Sequence, residues 1–236
     1  MFNKKKILAK LNEMHTHDIY SSVMENLPET FEYSVFKALL KKELGKKDIT
    51  AQKEEAYKEV LWVMNSFYDI HFKLDSDISE RVIFPISDEE SRGIEDARFV
   101  RFTVDDDNSE SILGTYTAYN GHAILPKLIT TDDFYTFRVM PLYGEGSTGK
   151  GMALFPKKIN GKYAMLGRID GVNNYLMYSS RVNEWKNPQI IQKPEYAWEY
   201  TQIGNCGSPL WTEEGWLVIT RGVGAMRRYC IGASLL

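Results

Sequence analysis

Hydrophobic residues recur at helical spacing in the first quarter of the chain. Within residues 31–44 the apolar positions that share one helical face are Phe36, Leu39, Leu40 and Leu44. Gly45 follows directly, where a helix C-terminal cap favours a residue without Cβ. The pattern predicts an amphipathic helix over residues 31–44.

Two further helices are expected in the same region. Residues 51–65 place apolar side chains on one broad face, with Asp48 or Thr50 as the N-terminal cap. A short, weakly patterned helix is expected at residues 5–14. We therefore predict that residues 1–66 are a helical segment that acts as scaffold.

Beyond Ser66 the pattern changes to short aromatic and β-branched runs that are separated by Gly, Pro, Asn and Asp. This texture is typical of strands and turns. The first two strands are expected at residues 67–72 and 81–86.

An internal repeat follows these two strands. Its units open with strands that start at Asp96, Met152 and Cys206, which lie about 55 residues apart. Second strands follow near Gly114, Gly161 and Gly215. Third strands are expected at residues 122–128, 175–180 and 228–235, and fourth strands at residues 137–142 and 189–192. Four short strands per unit are typical of a β-propeller blade, so residues 67–236 are predicted to form a mainly β, partial propeller of three to four blades.

The third unit reaches only its third strand at Leu236. A propeller pairs its first and last blades, because an open ring leaves strand edges available for mispairing. We therefore expect the chain to be a piece of a longer one, or its ring to be completed by a partner or a second copy.

Composition narrows the function classes. With 236 residues, 43% of them apolar, the chain can fill the core of one large domain or two small ones. Its 32 acidic residues slightly outnumber its 29 Lys and Arg, so the overall charge favours neither nucleic acid nor an anionic membrane. No apolar run approaches the roughly 18 residues of a membrane span, and no secretory signal is recognised.

The cysteines and the paired histidines offer little chemistry. Cys206 and Cys230 fit reduced, packed residues of a cytoplasmic protein, since one pair gives neither a disulfide framework nor metal spacing. His15 and His17 lie two apart but have no further histidine nearby, so a metal site is not favoured. The expected location is the cytoplasm.

Candidate chemistry concentrates at residues 93–102, where Glu95, Asp96 and Arg98 stand at the entrance of an alternating apolar run. Burying such charges costs several kcal/mol unless they are paired or used. Two interpretations remain open at this point. Either a carboxylate caps the turn and Arg98 neutralises it, or the group is a functional site.

Charged residues recur at matching places in the other units. Lys150 precedes the second unit, Arg168 ends its second strand, and Arg221 ends the corresponding strand of the third. Equivalent strand ends of a propeller point toward one central face, so these cations are expected to converge near Asp96. This convergence of cations around a carboxylate predicts a site for an anion or a sugar. In the alternative, Lys150 and Arg168 are ordinary solvated residues of the rim.

Five separate signatures resemble glycoside hydrolase family 130, the β-mannoside phosphorylases and mannosidases. They occur in family order over residues 67–236 and are Glu95-Asp96-Ala97-Arg98, Tyr116-Thr117-Ala118-Tyr119, Ala153-Leu154-Phe155-Pro156 with Lys158-Ile159-Asn160-Gly161, Gly215-Trp216-Leu217-Val218 and Tyr229-Cys230-Ile231-Gly232-Ala233. The resemblance implies a five-bladed propeller with an inverting active site at its centre. The helical start resembles an insertion carried by a longer, less characterised branch.

The resemblance also implies roles for individual residues. Asp96 matches the general acid, which passes its proton to the glycosidic oxygen through a sugar hydroxyl, and Arg98 would orient it. The positions that match substrate-binding or phosphate-binding residues are Lys150, Arg168, Arg221, Tyr229 and Tyr116. Inorganic phosphate would be the nucleophile of a phosphorylase, so cations replace the second carboxylate of an inverting hydrolase.

The sequence departs from the family pattern at three positions and in length. Ala97 stands where many members have proline, Gln202 where the phosphorylases have a phosphate-binding lysine, and Arg221 where histidine is usual. Arginine keeps a cation but is larger and does not titrate near neutrality. The resemblance also implies that sequence before the helices and a last blade after Leu236 are missing.

Two hypotheses from different classes follow. The first is an enzyme that cleaves β-mannosidic linkages with inversion, by phosphorolysis or hydrolysis, with Asp96 as acid and phosphate as co-substrate but no other cofactor. The second is an inactive or truncated sugar-binding propeller without turnover. The expected partner is a β-mannosyl oligosaccharide, with self-association as a further expectation.

Overall fold

A computed structural model describes residues 2–5, 7–8, 24–45, 50–51, 66–104 and 109–236 of the chain. The chain divides into two compact units, Met1–Tyr68 and Asp69–Leu236. The described residues exclude most of the helices expected at residues 5–14 and 51–65. They also exclude His15 and His17. The assignment of residues 1–66 as an insertion remains a prediction.

The first unit contains the predicted amphipathic helix. Helix α1 spans Tyr33–Leu44, with Phe36 and Leu40 buried. It begins after the strand pair β1 (Phe2–Asn3) and β2 (Thr30–Phe31), which is antiparallel. Gly45 is the C-terminal cap, as predicted, but its φ of −82° lies in the right-handed region, so this backbone conformation does not itself require glycine.

The second unit is built on antiparallel sheets. The first sheet contains β3 (Tyr68–His71), β4 (Ile94–Thr103), β5 (Glu110–Tyr119), β6 (Ile124–Thr131) and β7 (Thr136–Pro141). Its order is β3-β7-β6-β5-β4, and the consecutive strands β4 to β7 form a meander. The strand expected at residues 67–72 is thus confirmed.

The second and third sheets repeat this arrangement. The second sheet has the order β11-β10-β9-β8 and contains β8 (Lys150–Leu154), β9 (Tyr163–Arg168), β10 (Asn174–Ser179) and β11 (Gln189–Gln192). The third contains β12 (Gln202–Asn205), β13 (Leu210–Thr212), β14 (Gly215–Val223) and β15 (Tyr229–Leu235). Strands β12 and β13 pair with opposite ends of one edge of β14, so together they act as a single interrupted strand. The predicted mainly β fold with repeated strand units is confirmed, and none of the described sheets closes on itself.

The strand predicted to start at Cys206 begins only at Leu210, as β13, and one further expected strand is absent. Residues 81–86 have no regular structure, although their apolar residues are β-branched or aromatic. Val82, Phe84 and Ile86 are all more than half exposed, and Pro85 has no N–H to donate to a sheet. Arg81 instead fixes the segment by donating from Nη1 to the carbonyl of Phe134 at 2.9 Å. The β-branched and aromatic residues of this segment therefore do not form a strand, because the segment pairs with no other described strand.

The sheets pack face to face. The residues buried between the first and second sheets include Phe102, Leu113, Leu128, Met152, Leu154, Met165 and Met177. The opposite face of the second sheet packs on the third through Ala153, Phe155, Ala164, Leu166, Trp216 and Val218. Each sheet of this stack therefore supplies alternate residues to alternate faces.

The outward face of the third sheet differs from these packed faces. Ile219, Ile231 and Leu235 are 37%, 80% and 52% exposed, and Tyr229 shares this face at 54%. Both cysteines belong to this part of the chain and are free thiols. Cys206 is exposed, so the expectation that it is packed was wrong.

Candidate active site

Asp96 occupies a bulge in strand β4. Glu95 pairs with Thr117 and Arg98 with Thr115, so Asp96 and Ala97 together face the single residue Tyr116. The φ of Asp96 is 59°, in the left-handed region that Asp tolerates better than most residues. A bulge redirects side chains out of the regular alternation. It separates Asp96 from the flat surface of the strand and leaves its side chain 39% exposed.

Arg98 links Asp96 to both neighbouring sheets. Its Nη2 and Nε lie 3.4 Å from the two carboxylate oxygens of Asp96, in a two-point contact. Its Nη1 donates to the carbonyl oxygens of Gly151 at 3.3 Å and Asn205 at 3.2 Å, and also to the side-chain oxygen of Asn205. The beginnings of β4 and β8 and the end of β12 therefore meet at one guanidinium.

Asn205 is a site residue that the sequence analysis missed. Its Nδ2 donates to the carbonyl of Gly151 at 2.8 Å, and the residue is almost completely buried. The available signal was its position directly before Cys206, where the third repeat unit was predicted to begin. It fixes the Arg98 side chain rather than contributing a charge.

Strand β8 carries a second bulge at the equivalent place. Lys150 pairs with Arg168 and Ala153 with Leu166, so the register shifts between them, and Gly151 has a φ of +75°. The side chain of Lys150 forms an ion pair with Glu95 of the first sheet. Lys150 therefore lies beside the group, as expected, but is already paired with a carboxylate.

Arg168 is the most deeply buried cation of the site, with 9% of the residue exposed. Its Nε and Nη1 are buried and have no hydrogen-bond partner. Burial lowers the pKa of its guanidinium, Arg221 and Arg98 lower it further, and the charge of Asp96 acts in the opposite direction. Because arginine remains protonated in proteins, this is a buried positive charge with unused donors.

Arg221 and Tyr229 complete the group from the third sheet. Arg221 pairs with Gly204, and a Cβ at Gly204 would lie 3.7 Å from Cδ of Arg168, so the two arginines come close together. Cζ of Arg221 lies 5.3 Å from the ring centroid of Tyr229. Hydrogen bonds from Arg227 and Arg221 lower the pKa of the Tyr229 phenol.

We call Asp96, Arg98, Arg168, Arg221 and Tyr229 the cationic site; the Lys150–Glu95 pair lies at its edge. The group combines three arginines with one carboxylate and one phenol, and two guanidinium nitrogens of Arg168 remain unused. Arginine binds phosphate and carboxylate through paired N–H···O bonds. The arrangement can bind an oxyanion beside a carboxyl group. Among the described residues there is no cluster of His, Cys, Asp or Glu that could hold a metal ion.

Tyr116 does not join this group. Its hydroxyl donates to Oε1 of Glu90 at 2.6 Å, on the other face of β5. Lys127 is completely buried, and its Nζ contacts Glu89 at 2.9 Å, Glu90 at 3.1 Å and Ser87 at 2.8 Å. We call Ser87, Glu89, Glu90, Tyr116 and Lys127 the buried cluster. A role for Tyr116 in substrate binding stays a prediction that these contacts do not favour.

Stacked antiparallel sheets whose strand ends meet at a cationic site define the class of this chain as a mainly β protein with a charged candidate site. A family profile described as β-1,4-mannooligosaccharide phosphorylase matches residues 52–236. The chain therefore belongs to glycoside hydrolase family 130. The membership expected from its five signatures is confirmed.

Curated relatives include two phosphorylases of β-mannosides. The chain is 28% identical over 178 residues to a β-1,2-mannobiose phosphorylase of Listeria innocua. This match covers 70% of this chain and 46% of that protein. It is 36% identical over 88 residues to a 1,2-β-oligomannan phosphorylase of a Thermoanaerobacter species. This second match covers 37% of this chain and 29% of the relative. The chain thus spans about half the length, or less, of these relatives.

Solved structures share the fold. The Listeria innocua β-1,2-mannobiose phosphorylase in complex with β-1,2-mannobiose matches with a TM-score of 0.52 and 25% identity, over 65% of this chain and 43% of that one. A glycoside hydrolase from Parabacteroides distasonis matches with a TM-score of 0.51 at 19% identity, over 64% and 51% of the two chains. In the described part of this chain, no helix is long and apolar enough to cross a membrane.

Proposed function

We propose that residues 69–236 carry the acid and the phosphate-binding side of a site for phosphorolysis of β-mannosides. Asp96 is the general acid in this proposal, and Arg168, Arg221 and Tyr229 hold inorganic phosphate. The observation that carries the proposal is the buried Arg168 guanidinium, whose Nε and Nη1 have no partner. Leaving such donors unsatisfied costs free energy, which an oxyanion would recover.

The geometry suits inversion by an external anion. Inverting cleavage needs an acid on one face of the sugar and a nucleophile on the other. When phosphate is the nucleophile, cations must position it and offset its charge, and a second carboxylate is not required. Asp96 would donate its proton toward the glycosidic oxygen through a sugar hydroxyl, while Arg98 restrains the carboxyl group from the side of Asn205.

The substrate class comes from the family and not from the geometry alone. The curated relatives act on β-1,2-linked and β-1,4-linked mannosides, by their names. We therefore propose a β-mannosyl oligosaccharide as substrate and phosphate as co-substrate, without a further cofactor. The three described sheets would correspond to successive blades of a five-bladed propeller, which places the cationic site near its axis.

A second candidate is a binding module without turnover. It is favoured by the exposure of the site, since the side chain of Asp96 is 39% exposed and Tyr229 is 54% exposed. Closed sites exclude water and strengthen the electrostatic interactions on which catalysis depends. A site this open can still bind an anion or a sugar.

The test combines binding with product analysis. The protein is incubated with β-1,2- and β-1,4-mannobiose, with and without phosphate, and mannose 1-phosphate and mannose are quantified. Phosphorolysis predicts mannose 1-phosphate from wild type, its loss in Asp96→Asn, and loss of phosphate binding by calorimetry in Arg168→Gln. Arg101→Gln is the control, because Arg101 is an exposed arginine on the same sheet that pairs only weakly with Glu110 at 3.3 Å.

Other outcomes decide between the alternatives. Mannose release that is independent of phosphate would replace phosphorolysis by hydrolysis. Phosphate or mannoside binding without any product would support the binding module. If Asp96→Asn forms product as fast as wild type, the assignment of the acid is wrong.

A further inference from the structure

The pair formed by Lys150 and Glu95 is the part of the site that the proposed function does not use. Lys150 on β8 is the ladder partner of Arg168 on β9, so the two residues lie opposite each other on neighbouring strands. Glu95 directly precedes Asp96 in the chain, and the ion pair joins the first sheet to the second. Both side chains are partly exposed, at 34% for Lys150 and 57% for Glu95.

The cations of the site differ in how far their donors are already used. Arg98 donates to Asp96, to Gly151 and to Asn205. Lys150 is paired with Glu95. Arg168 alone among them has buried N–H groups without a partner. An incoming oxyanion therefore finds its donors at Arg168 and the neighbouring Arg221, while Glu95 presents a negative charge on the Lys150 side.

We propose that Glu95 is a specificity-determining residue that occupies Lys150 and restricts phosphate to Arg168 and Arg221. This inference rests on the proposed function, because it assigns the limits of the same anion site. Glu95 acts in two ways: it takes the ammonium group that would otherwise bind the phosphate, and its charge repels a phosphate placed there. Removing the carboxylate frees Lys150 as an additional ligand.

The effect is moderate in size because the pair is exposed. Partly exposed ion pairs are exchangeable, and measured pair energies correspond to changes of up to about fivefold in an equilibrium constant. We expect Glu95→Gln to tighten phosphate binding about three- to fivefold at low salt. The gain should shrink at high salt, since screening weakens the Lys150–phosphate attraction.

Calorimetric titration of the full chain with inorganic phosphate tests this inference. Glu110→Gln is the matched control, because Glu110 pairs with Arg101 on the same sheet and its side chain is 53% exposed. It should bind phosphate like wild type. Lys150→Gln alone should change the affinity little, whereas the double variant Glu95→Gln/Lys150→Gln should lose the gain shown by Glu95→Gln.

Each result has a distinct meaning. If wild type binds phosphate and Glu95→Gln binds no more tightly, the inference fails and the proposed function stands. The inference also fails if Lys150→Gln weakens binding as strongly as Arg168→Gln, because Lys150 is then a primary ligand. If only Glu95→Gln binds phosphate, Glu95 restricts the site and phosphorolysis by wild type is wrong. If neither protein binds phosphate, both proposals are wrong.

Discussion

The buried cluster and the cationic site both include residues of the first sheet but use their charges in opposite ways. On β5, Tyr116 faces Glu90 and Lys127, while its neighbour Thr115 pairs with Arg98 on β4. In the buried cluster each described charge has an opposite charge within about 3 Å. In the cationic site Arg168 is also buried, yet two of its N–H groups have no partner.

The number of unused donors on a buried charge therefore distinguishes structural charges from charges that can bind a ligand. A buried charge that is fully paired is costly to disrupt and leaves no donor or acceptor for a ligand. A buried charge with unused donors destabilises the free protein, and a ligand that accepts hydrogen bonds from those donors offsets this cost. Perturbed charges of the second kind are the ones that mark candidate sites.

Lys127→Met should cause the largest loss of folding stability among the variants that test this contrast. The substitution removes the ammonium group of Lys127 from the buried carboxylates of Glu89 and Glu90, and removing one partner of a buried pair costs about 3–5 kcal/mol. Urea denaturation followed by fluorescence measures the loss. Lys162→Met, at an exposed lysine, should stay within about 0.5 kcal/mol of wild type.

Arg168→Met is the counterpart within the cationic site. Because its Nε and Nη1 are unpartnered, the variant should lose no stability, and it should lose phosphate binding. A loss for Arg168→Met as large as that for Lys127→Met would show that both charges are structural, and the contrast would then be wrong.

Asp96→Ala and Asp96→Asn should differ in stability although both remove the charge. Asp96 has a φ of 59°, and the left-handed region costs most residues about 1–2 kcal/mol, whereas asparagine tolerates it. We expect the alanine variant to be less stable by about 1 kcal/mol and the asparagine variant to resemble wild type. Equal stability of the two variants would mean that the bulge relaxes without Asp96.

Tyr116→Phe should affect the buried cluster and not the cationic site. Loss of the hydrogen bond to Glu90 should cost about 1 kcal/mol of stability and leave phosphate affinity unchanged. Denaturation and calorimetry on the same preparation measure both quantities. Reduced phosphate affinity at unchanged stability would instead support the substrate-binding role expected from the family resemblance.

The smallest expected effect is a pH dependence through Tyr229. Its pKa is lowered by Arg227 and Arg221, so folding favours the deprotonated phenol. The stability contribution is therefore present above the unfolded pKa and is lost as the pH falls through the folded value. Wild type should gain stability relative to Tyr229→Phe as the pH rises through the alkaline range. The tyrosinate absorbance of the two proteins locates the titration, and parallel stability curves would contradict the shift.

Much of the fold was predictable because the strand units repeat. The repeat predicted strands near the starts of β4 and β8, whereas the third opener, predicted at Cys206, falls after β12. The convergence of Arg168 and Arg221 near Asp96 was expected from matching strand ends, and that of Tyr229 from the family resemblance; the charges of Arg221, Asp96 and Tyr229 all act on Arg168. The helix at residues 33–44 followed from its apolar spacing. These features depend on local periodicity, which a sequence displays directly.

The remaining features depend on contacts that periodicity does not encode. Tyr116 is the ladder partner of Lys127 on β6, and its hydrogen-bond partner Glu90 is 26 residues away in sequence. Asn205 acts on Arg98 across 107 residues. Residues 81–86 have a strand pattern but no adjacent strand edge, so their propensity alone was misleading.

The exposed outward face of the third sheet has a calorimetric consequence. The heat capacity of unfolding arises mainly from apolar surface that becomes hydrated, and Ile219, Ile231 and Leu235 are already hydrated in the folded state. The heat capacity increment of unfolding should therefore be smaller than for a form in which this face is covered. Any surface that covers this face would bury those side chains and produce a negative heat capacity change on association. The sign of that one quantity reports coverage of the face, whatever covers it.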